Sequence, residues 1–153
     1  MRLLAPFLFA LIGGCTTIAV SLQLDQRFGP ADPGRFDHPP AQSAKAPDYW
    51  KEVRPILDAR CVSCHACYDA PCQLNLSSYA GITRGASARQ VYSSTRLLAD
   101  EPTRLGFDAL SNSEWRAKGF FPVLNERVQS AEANRQGGIM YQMLALKRAN
   151  PGP

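Results

Sequence analysis

Cys61-Val62-Ser63-Cys64-His65 is the stretch on which the reading of this chain turns. The spacing C-x-x-C-H is the attachment signature of a c-type haem. Two thiols two residues apart can add to the two vinyl groups on one edge of a porphyrin. The histidine that follows at once brings an imidazole under the iron as proximal ligand. The sequence therefore predicts one covalent haem c per chain, bonded through Cys61 and Cys64 and ligated by His65. The fold class that goes with it is mainly α: a loop-rich, cytochrome c-like haem domain behind an N-terminal signal or anchor.

Immediately outward, Cys67 and Cys72 extend the run to four cysteines. Such a set also suits zinc or an iron–sulfur cluster. Its last gap and proline position differ from the bacterial ferredoxin pattern, and His65 inside the run favours haem. The Tyr68-Asp69-Ala70-Pro71 stretch between Cys67 and Cys72 has turn chemistry, so a Cys67–Cys72 disulfide is predicted in an oxidising compartment. On the N-terminal side, Asp48 is a plausible N-cap and Pro55 suits the first turn of a helix. The spacing predicts a short helical turn, then a helix from about Pro55 through His65. Ile56, Leu57, Cys61 and Cys64 would share the face carrying the porphyrin.

The N-terminus agrees with this chemistry. Arg2 precedes an apolar run, and Ile12-Gly13-Gly14-Cys15 is similar to a lipobox. Residues 1–24 are read as a lipoprotein-type signal peptide with lipidation on Cys15, as an ordinary signal peptide, or as an uncleaved anchor. All three put the body in the periplasm, where bacterial haem c is attached by a maturation machinery. Residues 25–47, rich in Pro and Gly, read as a linker. Residues 48–153 read as the haem-binding body.

Composition is ordinary for a globular chain of 153 residues: 45% hydrophobic, 20% charged. A net charge of +4, dispersed along the chain, excludes a nucleic-acid footprint. Residues 66–89 read as loops with short extended pieces, and Val91-Tyr92 as a short strand. Ser111-Asn112-Ser113-Glu114 fits a capping box opening a helix that stops at Gly119. Phe120-Phe121-Pro122-Val123-Leu124 is an apolar run for the cofactor or core. A last helix is expected from about Ser130 to Arg148, its middle weakened by Gly137-Gly138. Met140 and Met143 on that helix are candidate distal iron ligands, with core filling as the alternative and an open distal position as a third state.

Several segments together resemble the bacterial fatty acid cis/trans isomerases. They are Cys61 through Leu74, Gly81-Ile82-Thr83-Arg84-Gly85-Ala86, Thr103-Arg104-Leu105-Gly106, Glu114 through Glu126 and Met143 through Pro151. The resemblance implies a periplasmic haem enzyme that converts cis-unsaturated acyl chains of membrane phospholipids to trans. It assigns haem attachment to Cys61 and Cys64 and catalysis, through the iron, to His65. Family members are several times longer, so the chain reads as an N-terminal portion of such an enzyme. The alternative is a periplasmic electron-transfer cytochrome c domain, which needs only a closed, six-coordinate iron. Oligomeric state is not legible.

Overall fold

The computed structural model describes residues 20–39, 46–66, 71–89, 92–93, 96–97, 101 and 103–152. The expectations for residues 1–19, Cys15 included, and for Cys67 and Val91 lie outside them. Among the described residues the chain is mainly α, with short strands.

Residues 20–28 form α1. No helix of the described residues is long and apolar enough to cross a membrane. The stretch read as a linker is anchored to the body over its described part. Val128 N–H donates to the Phe28 carbonyl at 3.2 Å and Asp32 N–H to that of Glu126 at 3.0 Å. Asp37 accepts from Asn112 N–H at 2.7 Å, and Arg127 bonds Asp25 at 2.8 Å. Phe28 is buried. Its ring gives this Pro- and Gly-rich segment an apolar attachment that composition alone does not show.

A π-helical turn, Tyr49–Val53, leads into α2, Arg54–Arg60. Asp48 caps the turn, its carboxylate accepting from Lys51 N–H at 2.9 Å, while Glu52 accepts from Asp48 N–H at 2.7 Å. The two residues thereby satisfy donors reciprocally. The helix is shorter than the spacing predicted. It stops at Arg60, and Cys61 is its C-cap with φ −127°. Val62 N–H bonds the Leu57 carbonyl and His65 N–H that of Cys61, so the cysteines lie in successive turns.

After a 3-10 turn at Pro71–Gln73 comes α3, Tyr79–Arg84, where loops were expected. Ser78 caps it through Gly81 N–H at 3.0 Å, and Gly85 ends it at φ +83°. Gly81 hides this helix from a propensity reading but is required by packing. A Cβ there would come within 2.3 Å of the Asn75 carbonyl oxygen.

Strand β1, Ala86–Ser87, pairs antiparallel with β4, Phe120–Phe121. Strands β2, Tyr92–Ser93, and β3, Arg96–Leu97, form a separate hairpin. Helix α4, Asn112–Ala117, opens on the expected capping box: Glu114 N–H bonds Ser111 Oγ, and the Glu114 carboxylate accepts from Ser111 N–H, each at 3.2 Å. The expected last helix is two helices. Helix α5, Ala131–Gly137, and α6, Ile139–Ala149, meet at Gly138, whose φ −93° and ψ 109° are extended. Met140 N–H bonds the Val123 carbonyl at 3.0 Å, turning α6 onto the 123–125 segment. The core is small. Trp115 and Phe120 meet edge to face at 5.0 Å, with Ala109 buried beside them.

Candidate functional site

The haem-type run is presented at the end of α2. Cys61 is half-buried, Cys64 exposed, and both are free thiols. His65 follows, half-buried, with its Nδ1 3.3 Å from the Leu74 carbonyl oxygen. An imidazole whose Nδ1–H donates to a carbonyl keeps Nε2 as its lone-pair nitrogen, the arrangement that suits a metal-ligating histidine. The Leu76 N–H to His65 carbonyl bond, 2.7 Å, fixes the backbone on the same side. In the helical segment that leads to this turn, Trp50 is 69% exposed and Ile56 63%. Two thiols and an imidazole whose Nε2 is available are the donor set that a c-type haem takes. The residues present thus fit the group that their spacing implies.

The other predicted positions lie elsewhere. Cys72 is an exposed free thiol, and its predicted disulfide partner Cys67 lies outside the described residues. Met140 is half-buried and Met143 exposed, both on α6, which packs with α5. His38 is exposed. Among the described residues no three His, Cys, Asp or Glu side chains converge as a metal-holding group.

Sequence reading left a second constellation without roles. Arg84, at the end of α3, is buried to 1% exposure. Its Nη2 donates to the Gln73 carbonyl, and its Nη1 to Thr103 Oγ1 at 2.8 Å. Thr103 in turn donates to Gln73 Oε1 at 3.0 Å. The guanidinium lies 4.8 Å from the Phe120 ring centre and 5.3 Å from that of Trp115, within cation–π range. Burial pushes its pKa down to about 10. Arg116 then braces the same helix end. It donates to the Arg84 carbonyl at 2.6 Å and the Thr83 carbonyl at 3.1 Å, and pairs with buried Glu126 at 2.6 Å. A cation on the last carbonyls of a helix is favourable in itself.

This network bears on the haem segment through Gln73. Cys72 and Gln73 both take left-handed backbone, φ +56° and +48°, which costs non-glycine residues of order 1 kcal/mol or more each. Such a conformation persists where surroundings over-determine it. The Arg84 bond to the Gln73 carbonyl supplies that here, just before Leu74 and its contact with His65. The signal in the sequence was the set of charged residues inside otherwise small or apolar segments.

The three motifs of Gly81–Ala86, Thr103–Gly106 and Glu114–Glu126 thus converge in space. The comparison with known families bears on the same region. Residues 100–153 match the family model of fatty acid cis/trans isomerase (CTI). The CTI match takes in α4, β4, α5 and α6, and supports the resemblance read from the sequence. It supports fatty acid cis/trans isomerase activity in general. The Cys61–His65 run and Arg84 precede it. No curated protein and no solved structure matches the chain.

Proposed function

We propose that this chain takes part in cis/trans isomerisation of unsaturated acyl chains of membrane phospholipids, as a c-type haem protein of the periplasm. The reading is carried by the presence on one chain of the CTI match and of paired thiols followed by a histidine whose Nδ1 faces the Leu74 carbonyl. Cys61 and Cys64 would hold one haem c after processing by a maturation machinery. His65 Nε2 would ligate its iron. Attachment to the membrane would run through the N-terminal segment or a lipid on Cys15.

Rotation about a double bond requires loss of π overlap, and a turnover near one per second leaves a barrier of roughly 17 kcal/mol. Positioning alone does not reach that figure, so the bond order must fall. When bound, the haem supplies an electron-poor iron toward which the double bond can give up density. The protein's part is binding and exclusion of water. Leu74 holds the His65 ring in one tautomer and orientation. Trp50 and Ile56 would offer exposed apolar surface on the helical segment before the thiols. The Arg84–Gln73–Thr103 bonds keep the Leu74 carbonyl in place.

The test is His65→Ala, expressed in cells with a haem maturation machinery. Fatty-acid profiling should show loss of trans-acyl accumulation relative to the parent. An unchanged trans/cis ratio overturns the haem role.

A further inference from the structure

We propose that the outward face of α6 docks this protein on the surface of an anionic phospholipid bilayer. Helix α6 has no buried residue. Its side Met140–Tyr141–Leu144 borders a groove of about 380 Å³ shared with Phe36, Val123 and Leu124. Another stripe, Ile139, Met143 and Leu146, is spaced i, i+4, i+7 and is 40%, 61% and 59% exposed. These are large apolar side chains on a helix whose main packing partner among the described elements is α5.

Charge selects the occupant. Residues 133–153 contain Arg135, Lys147 and Arg148 and no Asp or Glu. Lys147 lies one turn on from Met143, and Arg148 follows it in the last turn of the helix. An apolar stripe flanked by cations, with no carboxylate on the element, complements anionic headgroups over acyl chains. At about 1.5 Å per residue, the eleven residues of α6 give a helix far shorter than a bilayer core, suited to lie in the interface plane. The choice of a bilayer rests on the isomerase reading, since the substrate chains sit there. Docking itself needs neither haem nor turnover.

The full chain is floated with phosphatidylcholine vesicles, with and without phosphatidylglycerol. Lys147→Gln with Arg148→Gln should weaken binding about tenfold or more on the anionic vesicles alone, and salt should do the same to the parent. Ile139→Glu with Leu146→Glu should weaken binding to both. The uncharged N-terminal stretch is common to all variants, so a local readout is added. In Leu146→Trp, acyl-brominated phosphatidylglycerol should quench the added indole. An unquenched indole on vesicle-bound protein overturns the proposal. So does a result in which these substitutions dissociate a self-associated form and leave vesicle binding unchanged. Loss of isomerisation in His65→Ala with docking intact separates the two readings.

Discussion

Arg84 ties the haem-side turn to the aromatic core. Its guanidinium reaches the Gln73 carbonyl and Thr103 and lies over two core rings. Truncation would leave a buried carbonyl unpaired and open a cavity between Trp115 and Phe120. Arg84→Ala should therefore lower unfolding free energy by about 3–5 kcal/mol in urea titration. Arg84→Lys should recover only part of this, because an ammonium lacks the planar fork that serves both acceptors. A loss within 0.5 kcal/mol in either variant would show that the rings, rather than the hydrogen bonds, hold the site (roughly the noise of a surface substitution). At this scale the C-x-x-C-H run is visible as a pattern because it is contiguous. Arg84, Arg116 and Glu126 were visible as residues but not as a set. Their partners lie 10 to 33 positions away, and no local pattern encodes such pairing.

Helix ends were legible where a side chain satisfies the orphan donors. The capping box of α4 was read from four residues and is formed. Its Glu114 carboxyl is held below the ordinary glutamate range, chiefly by the backbone N–H groups of Leu110 and Ser111. A depressed carboxylate stabilises the fold above its unfolded pKa, near 4.5, and loses that contribution as pH falls through the folded value. Thermal melts between neutral pH and pH 3 should thus show an acid-side loss that Glu114→Gln reduces, while Gln keeps the N3 capping geometry. Identical acid slopes would refute the assignment. Helix breaks were harder to read. The sequence predicts Gly137-Gly138 as a weak point inside one helix, whereas the chain turns there. A Cβ on Gly137 would lie 2.6 Å from Asn125 Oδ1, and Asn125 bonds Val128, Asn134 and Arg127. In an open helix Gly→Ala stabilises by about 0.5–1 kcal/mol. Here Gly137→Ala should destabilise by about 1 kcal/mol or more, as seen in a lowered midpoint of chemical denaturation. A gain in stability would mean that Asn125 yields without cost. Helix α3 escaped notice for the related reason that its tight contact demands a glycine where propensity argues against a helix.

At the scale of the whole molecule, the described residues hold a core cluster around Trp115 and Phe120 and leave other large apolar side chains in the open, Phe107 and Leu110 among them. One such group is on α6, the proposed bilayer-facing surface. Another is on the helical segment before Cys61 and Cys64, where Trp50 and Ile56 stand exposed. The sequence predicts Ile56, Leu57, Cys61 and Cys64 on the face of one helix. The cysteines instead occupy the turns after Arg60, which lets them approach a flat ligand from beyond the helix end. If a porphyrin covers Trp50 and Ile56, each side chain contributes about 1.5–3 kcal/mol on burial. For a chain of this length each kcal/mol raises the melting temperature by roughly 2–4 °C. Covalent haem attachment should then raise Tm by on the order of 10 °C over the Cys61→Ser, Cys64→Ser protein, and Trp50→Ala should remove a large share of that gain while costing the haem-free protein little. Equal melting temperatures for the two forms would mean that the porphyrin is held away from this apolar surface, and with it the link between the exposed residues and the proposed site would fall.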